Sequence, residues 1–431
     1  MISVWSDQAS LPAFPKLEGN IKTEVLIIGG GMAGILCAYF LQQAGVDCVL
    51  AESRTICFGV TKNTTAKITV QHGLLYDKML RSMGAEKTGM YLDANQKALE
   101  KYAELCQGKD CDFERKDAFV YSLKSPKKLE REVRALQKAG CCADFTDTDE
   151  LPFETAGAVK VPNQAQFHPL KFVSAISQGL NIYEHTHILE VREHTAISEN
   201  GSITAGKIIV ATHFPFINKH GSYFIKQYQH RSYVMAFEYA QAINGMYVDE
   251  AKAGMSFRGY KNLLLIGGGD HRTGKKGGCY EELEVFAQKH YPNATEQYRW
   301  ATQDCMTLDG IPYIGQYSRH TPGLYVCTGF NKWGMTSSMV SAMLLSDMVV
   351  GRANDFSELF SPSRSIMKPQ LLANVYEALL GMLTPTTKRC PHLGCALKWN
   401  SIEHSWDCSC HGSRFDSDGV WLDNPANGDL R

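Results

Sequence analysis

Residues 24–52 read EVLIIGGGMAGILCAYFLQQAGVDCVLAE, and everything else in the chain is placed relative to this stretch. Val25-Leu26-Ile27-Ile28 is short, apolar and β-branched, as a strand buried on both faces should be. Gly29-Gly30-Gly31-Met32-Ala33-Gly34 follows at once with the G-x-G-x-x-G spacing. In that spacing Gly29 allows the tight turn, Gly31 lets a pyrophosphate approach the backbone, and Gly34 lets helix and strand pack closely. Ala38, Leu41 and Ala44 continue at helical spacing, and Gly45 suits the helix's C-terminal cap. A second strand over 46–51 ends on Glu52, 18 residues after Gly34, where a carboxylate can accept hydrogen bonds from an adenosine ribose. Strand, turn, helix, strand and acid together predict a dinucleotide site, with Met32 and Ala33 opening its helix. Its place at the N-terminal end of the chain favours FAD held as a permanent cofactor.

The totals narrow the class. A chain of 431 residues predicts two or three domains. Hydrophobic content of 44% and charged content of 21% are ordinary for a globular protein. A net charge of −1 and the lack of a basic run give no reason to expect nucleic acid as a partner. No apolar stretch reaches the ~18 residues that span a bilayer. MISVWSDQASLPAFP has neither a basic n-region nor an apolar core, so a cytoplasmic location is expected. Of 14 cysteines, ten are scattered in no ligand pattern, and most suit small buried positions. The other four fall within the 21 residues 390–410.

Beyond Glu52, the run Gly59 to Thr69 (GVTKNTTAKIT) offers hydroxyls and backbone N–H groups for phosphate and flavin edges, or simply a solvated turn. Residues 75–150 read as helical and amphipathic, for example 90–105 and 129–136, the latter ended by Gly140, and suit a cap packed over the sheet. A helix is expected over 170–179. Strands are expected over 182–191 and 203–212, the second rejoining the first sheet, and a substrate-side sheet from 230–258. Residues 263–266 with Gly267-Gly268-Gly269 read as strand then loop. Strand, glycine and helix recur at 325–350, where a helix N-terminus can face a flavin carbonyl or developing negative charge. Residues 361–387 read as linker plus one helix.

Cys390-Pro391-His392 and Cys408-Ser409-Cys410-His411 are separated by 15 residues. Two Cys and two His at this spacing can hold a [2Fe–2S] cluster, with thiolates on one iron and imidazoles on the other, or a tetrahedral zinc ion. His392 lies two residues from Cys390, unlike the C-x₂₋₄-C pairs of zinc knuckles, and Cys395 and Cys410 are left over beside the ligand pairs. Both details favour iron–sulfur.

CPHLGC followed by CSCHGSRFD resembles Rieske iron–sulfur proteins. The resemblance implies Cys390, His392, Cys408 and His411 as ligands and Cys395–Cys410 as a disulfide. It implies that Ser413 donates to a cluster sulfur, and it places Phe415 where high-potential members carry a tyrosine hydroxyl, so an intermediate potential is expected. Rieske domains usually bring more strands than the 46 residues after Pro385 can supply. Either the flavin domain lends packing surface or the cluster is exposed. NTTAKIT, NQAQFHPLKF, IIVATHFP, RWATQD, DGIPYIG and TGFNKWGMT extend the resemblance to nearly the whole chain. It resembles the D-amino-acid oxidase, glycine oxidase and sarcosine oxidase superfamily, in the bacterial branch of FAD-dependent oxidoreductases with a C-terminal Rieske domain.

The implied fold is α/β with an α+β cap. A discontinuous Rossmann-like FAD-binding domain (1–80, 155–228, 256–360) interleaves with a β-rich substrate domain (81–154, 229–255 and part of 270–300). A linker helix (361–386) and a small all-β Rieske domain (387–431) follow. By position, the resemblance places Gly29, Gly31, Gly34 and Glu52 on the ADP half of FAD and Thr64 and Thr65 near pyrophosphate or flavin. Ile188 would meet adenine through its backbone, and Gly329, Gly334, Met335 and Thr336 would border the isoalloxazine. Lys67 and Lys332 are the candidate cations beside the flavin, with Arg258, His271 and His72 as further candidates. A two-electron flavin and a one-electron cluster in one chain suggest a dehydrogenase. It would oxidise an amine or amino acid and pass electrons singly to an external carrier, ferredoxin-like or quinone-linked. A reductase fed by a ferredoxin-like donor and a redox relay or sensor without substrate are the alternatives.

Overall fold

A computed structural model describes residues 2–251 and 253–430. The first strand, Gly19–Ile28, lies parallel between Cys48–Ala51 and Gly201–Val210, with Ile27 registered against Leu50 and Ile209. Three apolar, β-branched segments side by side, buried on both faces, explain why 25–28 carries no polar alternation. Leu324–Thr328 extends the sheet beyond Gly201–Val210, with Tyr313–Gln316 as an antiparallel edge, and Ile182–Tyr183 pairs on the other side. Helix Met32–Gln43 leaves the end of the first strand and turns out through Gly45 (φ 74°). It packs against helix Gly334–Val349, which leaves the end of Leu324–Thr328 in the same way. Strand order reverses around Gly19–Ile28, and at such a point a crevice opens beyond the carboxyl ends of the strands.

A nine-stranded sheet stands across that crevice. Its order runs Thr295–Thr307, Gln227–Glu238, Leu263–Arg272, Ser256–Tyr260, Met246–Asp249, Glu114–Tyr121, Ala158–Gln166 and Lys67–Ile68, with Asp144–Thr146 beside Ala158–Gln166. Sheet pairing thus carries Ala158–Gln166, Ser256–Tyr260, Leu263–Arg272 and Thr295–Thr307 into the second layer, of which the expected division assigned only part of 270–300 to the substrate domain. The segment 75–150 is not all helix. Helices Leu75–Cys106, kinked at Gly84, and Pro126–Ala139, ended by Gly140 (φ 100°), flank the strand Glu114–Tyr121. Residues 267–272 also continue their strand instead of looping. The glycines there are packing requirements. A Cβ on Gly267 would come within 2.7 Å of the Ser256 hydroxyl, and one on Gly269 within 2.2 Å of the Cys279 carbonyl, where helix Cys279–His290 crosses.

The C-terminal sheet is small and antiparallel, Leu397–Asn400, Ser405–Cys408, Arg414–Asp416 and Trp421–Asp423. Its core is a handful of residues around the four cysteines, Leu397 and Phe415. The nine-stranded sheet supplies the missing base. Arg231 bonds Glu403 (Nε–Oε1 3.0 Å), and Arg414 bonds Glu403 (2.9 Å), Asp407 (3.0 Å) and Asp423 (3.1 Å), all but Asp423 nearly inaccessible. Gln303 donates to the Gly412 carbonyl, and Arg272 to those of Ser409 and Cys410. Helix Pro369–Leu383 closes the other side, with Gly381 so near that a Cβ there would stand 2.3 Å from Cys410 Sγ. Of the two outcomes expected for a shortened cluster domain, the structure takes lent packing surface.

Candidate functional site

The crevice between the two large sheets is a cavity of about 480 Å³. Its floor is the glycine turn. Gly29 adopts φ 110°, and a Cβ on Gly34 would stand 1.9 Å from the Gly29 carbonyl oxygen, so the helix can sit this close only without a side chain there. The N-terminus of helix Met32–Gln43 opens into the cavity with no side chain on its cap, Gly31, and Met32 N–H donates to Thr61 Oγ1 (3.0 Å). The positive end of the helix dipole, at a terminus whose cap residue has no side chain, fits a pyrophosphate. Glu52 accepts from Gly30 N–H (2.7 Å) and Arg54 N–H (2.9 Å), which aims its carboxylate along the cavity edge beside Ile188.

The loop carrying Thr64 and Thr65 lines the cavity and is held from behind by indole donors, Trp5 Nε1 to Thr64 O (2.7 Å) and Trp300 Nε1 to Asn63 O (2.9 Å). The short helix Val4–Gln8 that brings Trp5 there left no sequence signal beyond one tryptophan. At the far end Gly334 and Met335 start a second helix whose N-terminus carries no side-chain cap. Just before it Asn331 and Lys332 both take left-handed backbone (φ 52° and 72°). Asn331 holds this strained pair by accepting from Thr307 N–H (2.8 Å) and donating to Gly329 O (2.6 Å). The turn delivers Lys332 into the cavity, where it pairs with Asp270. Two uncapped helix ends, a glycine floor and a ribose-height carboxylate fit FAD along the cavity.

The expected residues therefore divide. Gly29, Gly31, Met32, Ala33, Glu52, Thr64, Thr65, Ile188, Gly334, Met335, Lys67 and Lys332 line the cavity. Gly34, Gly329 and Thr336 shape it from beneath, Gly34 against Gly29 and Gly329 against Thr307, while Thr336 bonds His72 Nε2 at 3.1 Å. Arg258 is fully buried behind the wall, bound to the carbonyls of Thr65 and Phe167, and burial pushes it down to about 9. His271 is occupied by Tyr233 (3.1 Å) and the Arg272 carbonyl (2.9 Å). His72, between Tyr91 and Thr69 and stacked on Trp333, is pushed by burial down to about 3 and stays neutral. These three are packing groups. Lys67 is different: burial, then the Arg258 charge, push its ammonium down to about 7, and it donates to Thr65 Oγ1 (3.2 Å).

The second site lies in the C-terminal domain. The Nδ1 atoms of His392 and His411 converge to 3.3 Å, and the Cys390 and Cys408 thiols adjoin each other. Ser413 reaches Cys390 and accepts from Ala426 N–H (2.9 Å). With Nδ1 turned inward, His392 Nε2 donates to Asn218 Oδ1 (2.8 Å) on the loop after strand Gly201–Val210. Two thiols and two Nδ1 atoms around one centre fit a cluster with thiolates on one iron and imidazoles on the other. Cys395 and Cys410 are free thiols here, their sulfurs within 4.8 Å of each other and of Cys408. Their pairing as a disulfide is a proposal.

Between the two sites stands one sheet. On strand Gln227–Glu238, Tyr228, His230, Ser232 and Val234 face the cavity. From alternate positions Gln229 donates to the carbonyls of His411 (3.0 Å) and Asn424 (2.8 Å), and Arg231 bonds Glu403. The cluster domain also enters the cavity wall directly, through residues 421–424 and Asn427. Trp421 stacks on His187, and Asn427 donates to the Ile188 carbonyl (3.1 Å). No local pattern in the sequence marks these cross-domain contacts.

Comparison with known proteins agrees with this division. The family "FAD dependent oxidoreductase" matches residues 24–348, and "Rieske [2Fe-2S] domain" matches 348–431. YhfW of Bacillus subtilis (strain 168), named as a Rieske 2Fe-2S iron-sulfur protein, is 33% identical over 98% of this chain and 95% of its own. Gamma-glutamylputrescine oxidoreductase of Escherichia coli (strain K12) is 22% identical over 80% of this chain and 87% of its own. The crystal structure of glycine oxidase from Geobacillus kaustophilus superposes with a TM-score of 0.68 at 19% identity, over 80% of this chain and 99% of that one. No helix among the described residues is long and apolar enough to cross a membrane.

Proposed function

The chain belongs to the FAD dependent oxidoreductase family and carries a Rieske [2Fe-2S] domain, and from that premise we propose a dehydrogenase that oxidises an amine or amino acid and passes electrons singly to an external carrier. The observation that supports this coupling of the two sites is the shared sheet, whose one face lines the cavity and whose other face holds the His411 loop. When bound, FAD accepts a hydride and the cluster carries single electrons onward. The chain's own residues orient the two groups and manage protons. Lys67, held near neutrality by burial, is the side chain suited to take the proton of a substrate ammonium before C–H cleavage. Lys332, fixed by its strained turn and by Asp270, supplies a placed positive charge where negative charge grows on hydride transfer. The likeness to gamma-glutamylputrescine oxidoreductase supports an amine as substrate.

The test is anaerobic. Amines and amino acids are mixed with the holoprotein while flavin absorbance and the cluster's EPR signal are followed together. The proposal expects flavin bleaching, then a cluster signal in the same sample. Reduction by a ferredoxin-like donor alone would instead favour the reverse, reductive direction.

A further inference from the structure

The cavity's second-sheet side carries a patch of hydroxyls and a carboxylate. Thr302 and Asp304 lie two apart on strand Thr295–Thr307, so they share a face, and Ser232 stands directly across from Thr302 on the neighbouring strand. All three line the cavity. Ser232 donates to Asp304 Oδ2 at 3.5 Å. Thr302 is only 9% exposed, and its hydroxyl is a buried polar atom with no hydrogen-bond partner. A buried hydroxyl left unpaired costs on the order of 1–3 kcal/mol, and this one belongs to a residue of the cavity wall.

The charges on this side are carboxylates. Asp249 and Asp270 join Asp304, and the cations are Lys67 and Lys332, the latter already paired with Asp270. A substrate α-carboxylate would need a free guanidinium or ammonium here, and Lys67, bound to Thr65 Oγ1 and pushed by burial down to about 7, serves as the proton acceptor of the proposed reaction instead. Arg258 is sealed behind the wall, and Arg231 and Arg272 point into the cluster domain. Arg54, the guanidinium that does line the cavity, stands at the Glu52 end, over the Trp421 ring. An ammonium, by contrast, has three N–H donors, and this wall presents three oxygens in one patch.

We propose that Asp304, with the hydroxyls of Ser232 and Thr302, holds a protonated amine of the substrate, and that the substrate is a cationic amine with no carboxylate beside that nitrogen. The inference rests on the reading that a substrate is oxidised at the flavin, and it names the substrate's class. It also explains why Thr302 is left unpaired.

The experiment uses oxidised, FAD-loaded full-length protein at fixed ionic strength, titrated with 1,4-diaminobutane, glycine and L-proline. Binding is read from the shift of the flavin's visible band, and turnover separately from anaerobic bleaching. The diamine is expected to shift the band, with neither amino acid doing so at equal concentration. Asp304→Asn should weaken diamine binding about 100-fold, as losing the charged partner of a buried pair does. Thr302→Val, which keeps the volume, should weaken it about tenfold and serves if Asp304→Asn loses FAD. Glycine or L-proline binding as well as the diamine, no diamine binding, or binding indifferent to these substitutions would overturn the inference. Diamine binding without bleaching by any amine or amino acid would leave the cradle standing and overturn the dehydrogenase reading.

Discussion

The flavin cavity and the cluster site hold their redox groups with opposite materials. The cavity is built from backbone: a glycine turn, two uncapped helix ends and the edges of two large sheets, each with an extensive core of its own. The cluster site is built from side chains on short hairpins whose own core is a few residues. It stands because Glu403 and the loop carbonyls of 409–412 are bound by the neighbouring sheet. The dependence is unequal. Damage to the flavin layer should take the cluster with it, whereas damage to the cluster domain should remove only the stretch of cavity wall that residues 421–424 and Asn427 supply.

The largest test of that asymmetry is Glu403→Gln. It leaves Arg231 uncompensated at a buried interface, and breaking such a pair costs about 3–5 kcal/mol. Iron should be lost on gentle heating while flavin stays bound, read from iron-to-flavin ratios across a melt. pH probes the same group. Burial alone would raise the Glu403 carboxyl, but Arg231 and Arg414 override it and hold it at about 2. A carboxyl depressed from an unfolded value of about 4.3 contributes stability that is complete above that pH and lost as pH falls toward 2. Cluster-domain docking should therefore weaken between about pH 4 and pH 2, and Glu403→Gln should lose that dependence.

Next comes Gly34→Ala. Its methyl would stand 1.9 Å from the Gly29 carbonyl, and overpacking against backbone costs about 3 kcal/mol. Flavin and iron should fall together, the opposite pattern. Gln229→Leu is smaller. It removes the amide that ties the His411 loop to the cavity-wall strand, and we expect flavin reduction to be unchanged while electron arrival at the cluster slows about tenfold, seen by rapid-freeze EPR. Phe415→Tyr should be smallest. Phe415 is fully buried beside the cysteines, and a hydroxyl donating toward a cluster sulfur should raise the potential without changing iron content, as a redox titration would show.

How far the sequence could be read follows the same division between local and distant causes. The floor of the cavity was legible because strand, glycines and helix lie within 30 residues, each enforcing its neighbour. The cluster ligands were legible because two hairpin loops carry all four. Glu114–Tyr121 was not, because ERKDAFVY has no clean alternation and becomes a strand only by pairing with 246–249 and 158–166. Gly267 to Gly269 misled for a related reason: the glycines answer to Ser256 across the sheet and to Cys279 on the crossing helix, not to a turn. Arg258, His271 and His72 carry chemistry-bearing side chains, but burial and carbonyl partners that only the fold supplies make them packing groups. The contacts of Gln229, Arg231 and Gln303 with the cluster domain span more than 100 residues and leave no local trace.

The central claim is that flavin and cluster exchange electrons through one sheet inside one chain. Its most direct test is anaerobic photoreduction of the bound flavin followed by rapid-freeze EPR at several protein concentrations. A rhombic signal with average g below the free-electron value should rise at a first-order rate that does not change with concentration. A rate proportional to protein concentration, or a cluster that stays oxidised beside reduced flavin, would contradict the account.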